Sequence, residues 1–207
     1  MKDNLWAYED QALTQGYRHI AGVDEAGRGP LAGPVVAAAV ILPRGLNDLG
    51  LDDSKKLSPG RRRKLYTAIY EVAVAVGIGI VDPPEIDRIN ILKAALGGMA
   101  MAVANLCPAP DLLLVDGPFP VPDVPMNQRP IIKGDSLSAS IAAASIVAKV
   151  TRDRLMARYD QEYPQFGFAA HKGYPTRAHR MAIAAHGPCP IHRRSFRVTP
   201  PERETEA

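Results

Sequence analysis

Between Tyr163 and Pro201 the sequence has no aspartate and no glutamate, while Lys172, Arg177, Arg180, Arg193, Arg194 and Arg197 all fall there. His171, His179, His186 and His192, four of the five histidines, lie in the same stretch, and residues 1–162 are close to neutral. A near-neutral body with one basic segment is the footprint of a polyanion partner such as nucleic acid. A merely solvated basic face is the bland alternative. Cysteine is scarce: Cys107 and Cys189 stand far apart and outside any metal-ligand spacing. That favours two free thiols in a reducing cytoplasm over a disulfide or zinc site. No apolar run is long enough to span a bilayer, and residues 1–11 carry acids without an apolar signal core. The expectation is a cytoplasmic protein with no membrane contact.

What is present suffices for one core: 207 residues, 46% of them hydrophobic. The expected organisation is a single domain over 1–197 that includes the basic segment of about 163–197. The polar, proline-containing tail 198–207 is expected to be disordered. Apolar runs at Ile20 to Val23, Gly33 to Leu42, Val74 to Val81, Leu112 to Val115 and Ile131-Ile132 read as strands. Helical patterns cover Asp3 to Gly16, Arg61 to Ala73, Glu85 to Asn90, Ile91 to Leu106 and Ser136 to Tyr163. Ser58-Pro59 supplies a cap and a first-turn proline for the second of these. The proline-rich stretch Pro118 to Pro130 reads as a loop. Strands mixed with helices in this way predict an α/β fold, a mixed central sheet flanked by helices.

Three apolar runs end in acid: Val23 into Asp24-Glu25, Val115 into Asp116, and Ile131-Ile132-Lys133-Gly134 into Asp135. Carboxylates at the ends of neighbouring strands converge on one edge of a sheet. An oxygen-rich cluster there suits Mg²⁺ or Mn²⁺, and two such ions can drive an in-line attack on phosphorus. Taken singly, Asp135 could be a helix N-cap, Asp116-Gly117 a turn and Asp24-Glu25 a solvated strand end. Gly27-Arg28-Gly29 follows the acidic pair at once, offering close backbone approach and a guanidinium suited to phosphate. It lacks the Gly-Lys-Ser/Thr ending of a P-loop and the dinucleotide spacing. Metal and phosphate chemistry therefore share one turn, which points to a nuclease or another phosphoryl-handling enzyme. Arg61-Arg62-Arg63-Lys64 opens a helix against its macrodipole, a hint of phosphate contact. Lys55-Lys56 and Lys149 read as solvated lysines. Tyr174 falls in a turn inside the basic segment, where its ring could stack on a sugar or base, or pack half-buried.

In order along the chain, Asp24-Glu25-Ala26-Gly27-Arg28-Gly29, Asp53-Ser54-Lys55-Lys56-Leu57-Ser58, Val115-Asp116-Gly117 and Lys133-Gly134-Asp135-Ser136 are similar to the motifs of ribonuclease HII. So are Ala143 to Val150 with Arg152-Asp153, His171-Lys172-Gly173-Tyr174-Pro175-Thr176 and His192-Arg193-Arg194-Ser195-Phe196. The resemblance, over roughly residues 18–197, implies a ribonuclease H-like fold with a C-terminal helical extension. It implies hydrolysis of the RNA strand of RNA–DNA hybrids and incision 5′ of single ribonucleotides embedded in duplex DNA. Two-metal catalysis would leave 5′-phosphate and 3′-hydroxyl ends. Asp24, Glu25, Asp116 and Asp135 match the family's metal-holding catalytic carboxylates, with Mg²⁺ or Mn²⁺ as cofactor. Gly27, Arg28 and Gly29 match the stretch that senses the ribose 2′-OH and its phosphate. Tyr174 matches the tyrosine stacking on the neighbouring deoxyribose, and Lys55 a backbone-phosphate contact. The implied partner is nucleic acid, bound by a monomer. Two alternatives remain open: a ribonuclease H-like nuclease acting on DNA junctions, and a catalytically silent nucleic-acid-binding module.

Overall fold

Strand β1 (Ile20–Ala26) is the central strand of five, pairing antiparallel with β2 (Val35–Ile41) and parallel with β4 (Leu112–Asp116). Outer strands β3 (Ala75–Val81) and β5 (Asn127–Ile131) complete the order β3-β2-β1-β4-β5. This computed structural model describes residues 4–44, 46, 49–51 and 57–199. Every residue of β2 and the first five of β1 are buried, because helices cover both faces of the sheet. Such strands read as continuous apolar runs rather than alternating ones.

Helices α1 (Ala7–Thr14), α2 (Pro59–Val72), α3 (Pro83–Ile89), α4 (Ile91–Ala104) and α5 (Ala139–Glu162) surround this sheet. On one face α4 brings Met99, Ala102 and Val103 against Ala21, Val23, Ala37, Ala39, Leu113 and Val115. On the other, Ala143, Ala144 and Val147 of α5 and Leu65 and Ile69 of α2 cover Ala38 and Val40. A Cβ on Gly22 would lie 2.0 Å from the Ser140 carbonyl carbon. The bare glycine in β1 and the small residues opening α5 together let helix and strand meet backbone to backbone. The fold is the mixed, helix-flanked α/β sheet that the sequence predicts.

Three of the boundaries that depart from the sequence reading bear on the site and its sheet. β1 continues through Ala26, so Asp24 and Glu25 lie within the strand rather than beyond its end. β5 begins four residues inside the expected loop and keeps Ile131 of the expected Ile131-Ile132 strand, while Ile132 lies outside it, 68% exposed. As an edge strand pairing only with β4, β5 tolerates Pro130 and carries Asn127, Gln128 and Arg129 on an open flank, so it gives no apolar signal. The long helix begins at Ala139, not Ser136: Gly134–Ser136 forms a separate 3₁₀ turn, and the Ser138 hydroxyl caps α5 by accepting from the Ile141 N–H. The Ser58 cap and the Pro59 start of α2 stand as expected.

Beyond α5 the chain forms α6 (Phe168–His171) and α7 (Arg177–His186), with Phe166, Phe168 and Ile191 packed on Met156 and Ala32. This is the expected C-terminal helical extension. Residues 200–207, most of the tail expected to be disordered, lie outside the described residues. Among the described residues no helix is long and apolar enough to cross a membrane.

Candidate active site

Side-chain alternation brings the carboxylates together. In β1, Ala21 and Val23 face α4, so Gly22 and Asp24 face α5. In β4, Leu113 and Val115 face α4, and Leu112 and Leu114 meet Ile141 of α5. Asp116 therefore follows them onto the α5 side. The two strands are parallel with Val23 beside Val115. The next residues, Asp24 and Asp116, thus leave the same sheet edge on the same face.

They open on a cleft of about 240 Å³ lined by Asp24, Glu25, Asp116, Gly27, Arg28, Gly29, Ser145, Lys149 and Tyr174. Asp135 does not line it. That residue is 5% exposed in the 3₁₀ turn, and its neighbour Gly134 donates its N–H to Asp116 Oδ1 at 2.7 Å. Lys55 lies outside the described residues. Three of the four expected carboxylates and the whole Gly27-Arg28-Gly29 stretch therefore share one cleft with Tyr174.

Burial, then repulsion from Glu25 and Asp116, pushes the Asp24 carboxyl well above the usual carboxylate range. The Ser145 hydroxyl and the Glu25 N–H, at 2.6 Å, partly offset this by donating to it. Burial also raises Glu25, opposed by the Arg28 guanidinium at 3.2 Å. Lys149 reaches the cleft paired with Asp153 at 2.5 Å, its ammonium pulled down by burial. Among the described residues, no three His, Cys, Asp or Glu side chains close into a ready-made metal cage. An open set of hard oxygen donors under mutual repulsion fits Mg²⁺ or Mn²⁺. Such ions take few protein carboxylates and fill their shells with water and substrate phosphate.

Two buried arginines clamp the Gly-rich loop. Arg193, 2% exposed, donates to the carbonyls of Gly33 (3.0 Å), Arg28 (3.0 Å) and Gly27 (2.6 Å). Arg152, 1% exposed, donates to Pro34 (2.9 Å), Ala32 (3.0 Å) and Lys172 (2.9 Å). Desolvation lowers Arg152 to about 10 and Arg193 to about 9, which leaves both charged at neutral pH. Gly27 has φ 101°, and a Cβ there would lie 2.2 Å from Arg152 Nε, so the clamp requires glycine. Arg193 must therefore be taken out of the surface charge of the basic segment, and so must His179 and His192, which are buried.

A second groove, of about 640 Å³, continues past Lys149 and Tyr174 between Arg62, Arg63, Arg154, His171 and Lys172. This is where two residues of the basic helix start, Arg62 and Arg63, come to lie. Ser145, Lys149, Arg152 and Arg193 fall within motifs shared with ribonuclease HII, but the sequence assigns none of them a role at the site and reads Lys149 as solvated. Ser145 and Lys149 are four apart on α5, a spacing that puts them on one helix face; the clamping arginines bind backbone carbonyls and leave no comparable signal.

The family model described as Ribonuclease HII matches residues 21–199. The ribonuclease HII of Geobacter sulfurreducens is 63% identical over 193 residues, 93% of this chain and 88% of its own length. The ribonuclease H2 from Pyrococcus horikoshii OT3 superposes with a TM-score of 0.72 at 30% identity, covering 87% of this chain and 95% of that one. The Archaeoglobus fulgidus RNase HII, solved in complex with PCNA, superposes at 0.70 and 28% identity, over 88% and 96%. The chain belongs to the ribonuclease HII family: it is a metal-dependent nuclease, and membership implies endoribonuclease action on RNA–DNA hybrids.

Proposed function

We propose that this cleft hydrolyses the RNA strand of RNA–DNA hybrids and incises duplex DNA on the 5′ side of a single embedded ribonucleotide, leaving 5′-phosphate and 3′-hydroxyl ends. Asp24, Glu25 and Asp116 would hold Mg²⁺ or Mn²⁺, and Asp135, outside the cleft lining, is the fourth carboxylate that family resemblance adds. Bound there, such cations supply activation of the attacking water and stabilisation of the leaving O3′. The single observation that carries the reading is the meeting of Asp24, Glu25 and Asp116 with Gly27-Arg28-Gly29 and Tyr174 in one cleft.

The protein's own groups bind and orient. Ser145 and the Glu25 N–H fix the Asp24 carboxyl from the helix and strand sides. The Arg28 guanidinium, steered by Glu25, meets the phosphate next to the ribose. Gly27 and Gly29 bring backbone to the 2′-OH, the group that separates RNA from DNA at a given site. Tyr174, 44% exposed beside Gly29, stacks on the neighbouring deoxyribose. Arg62, Arg63 and Lys172 extend the positive surface along the backbone path.

The test is cleavage of labelled duplex DNA containing one ribonucleotide, beside all-DNA and all-RNA duplexes, in Mg²⁺, Mn²⁺ and EDTA. Metal-dependent incision 5′ of the ribonucleotide with both controls intact is the expected result. Cleavage of the all-DNA duplex, or binding without cleavage in either metal, overturns the reading.

A further inference from the structure

His171, His179 and His192 form a continuous chain of rings beside the cleft. His171 stacks on His179 at 4.4 Å between centroids, and His179 Nε2 lies 3.0 Å from His192 Nε2. His179 and His192 are 0% and 6% exposed, with Phe166 and Phe168 packed around them. Their partners fix the hydrogens. The Tyr174 carbonyl, 2.9 Å from His179 Nδ1, can only accept, so Nδ1 carries the hydrogen and Nε2 must accept. His192 Nε2 must therefore donate to His179 Nε2, which leaves Nδ1 to accept from the Cys189 N–H at 2.9 Å, a nearer partner than the Cys189 carbonyl at 3.3 Å. The Gly173 N–H likewise donates to His171 Nδ1 at 3.1 Å, leaving Nε2 to donate to the Phe166 carbonyl at 2.7 Å. One tautomer assignment satisfies all six ring nitrogens with three neutral imidazoles.

The chain of bonds has two anchored ends. At one, His192 bridges Ala32 of the Gly-rich loop, and Arg193 next to it donates its N–H to the Leu31 carbonyl at 2.8 Å. At the other is the backbone of Gly173 and Tyr174, and the Gly173 carbonyl also accepts from the Leu31 N–H at 2.8 Å. An exposed ring on a turn selects nothing unless the turn is held still.

We infer that the His192–His179 relay, with His171 stacked on it, positions Tyr174 over Gly29 and thereby sets how strongly the enzyme prefers a ribonucleotide followed by deoxyribose. The histidines are positioning residues; none lines the carboxylate cleft. The inference rests on Tyr174 acting as the junction-sensing residue.

The experiment uses the full chain with H179A, H179N, Y174A and the H179A/Y174A double variant. Two quantities are read: kcat/KM on the single-ribonucleotide duplex relative to a uniform RNA–DNA hybrid, and amide hydrogen exchange over residues 172–176 relative to β1 and β4. Losing one net hydrogen bond predicts exchange in 172–176 about five- to tenfold faster in H179A, with β1 and β4 unchanged. The substrate ratio falls by a similar factor. H179N, whose side-chain amide can replace Nδ1–H, restores most of both. H179A adds nothing further to the ratio once Tyr174 is gone, because the two act through one group. Unchanged exchange in 172–176, or additive effects in the double variant, overturns the relay. A ratio unmoved by Y174A overturns the reading of Tyr174 instead, and the exchange data then decide the relay alone. If H179A does not fold, H192A and its donor-retaining counterpart H192Q apply the same test one link further along.

Discussion

The buried guanidinium of Arg193 donates to the carbonyl oxygen of Gly27 at 2.6 Å, tying two residues 166 positions apart. Its other nitrogens reach the Arg28 and Gly33 carbonyls, and the Phe196 ring lies 5.0 Å from its face. A planar fork serves three acceptors at once, which a lysine ammonium on a flexible stem cannot. Arg193→Lys is expected to lower unfolding stability by about 2–3 kcal/mol, the scale of charged hydrogen bonds lost over buried acceptors. Because Arg28 hangs on this loop, KM should rise more than kcat falls. Urea unfolding with steady-state kinetics checks both; a variant within 0.5 kcal/mol of wild type, a threshold at roughly the additivity error, removes the clamp.

Asp24 is held at a cost to the fold. Its ordinary pKa is 3.8, and burial plus Glu25 and Asp116 raise it well above that. A carboxyl whose folded pKa exceeds its unfolded one destabilises the folded state while ionised, and stability returns as pH falls through the raised value. Asp24→Asn keeps the shape and an acceptor for the Glu25 N–H but deletes the charge. Metal-free, the variant should melt above wild type at neutral pH, while turnover falls on the order of 10³-fold or more. Mg²⁺ should raise the melting temperature of wild type more than that of the variant. Thermal melts with and without Mg²⁺, beside the cleavage assay, decide it; near-wild-type turnover would sink the assignment.

Acid should loosen the C-terminal extension. Burial lowers the His179 imidazole from 6.5 to about 4 and shifts His192 the same way. The unfolded chain takes up a proton near pH 6.5 that folded His179 refuses until about pH 4. Stability from this group is therefore complete above 6.5 and declines as pH drops through that window. The midpoint of urea unfolding should fall between pH 7 and 5, and H179N, which has no proton to gain there, should flatten the slope. Identical slopes for the two proteins would show that His179 titrates normally.

Much of the site could be read before any coordinates, for a physical reason. Val23 and Val115 are the last residues paired between β1 and β4, so the acids that follow them come out side by side where that parallel pairing stops. The Gly-rich loop was equally legible because its chemistry lies in consecutive residues. What escaped depends on partners without sequence signatures. Arg152 and Arg193 serve backbone carbonyls, so the sequence shows Arg193 as basic charge and both as parts of family motifs, but not as clamps. His179 and His192 also read as basic surface, whereas the fold uses them neutral and buried. Only Ile131 of β5 is legible as strand, because the four residues before it, in the proline-rich stretch, lie partly or fully open to solvent.

Gly22 tests whether the closeness of α5 to β1 is what sets the site. An added Cβ would lie 2.0 Å from the Ser140 carbonyl carbon and 2.2 Å from the Ile141 nitrogen, both backbone atoms that no side-chain rotation can clear. The helix must move off the strand, and with it Ser145, which donates to Asp24, and Lys149, which lines the same cleft. Overpacking of this kind costs about 1–3 kcal/mol or more. Gly22→Ala should therefore lose stability and, under conditions where it is still fully folded, lose turnover as well, although residue 22 does not line the cleft. Stability by urea unfolding and kcat at a temperature well below the melting point separate the two effects. Full turnover in the folded variant would show that the carboxylates keep their positions without the α5 contact.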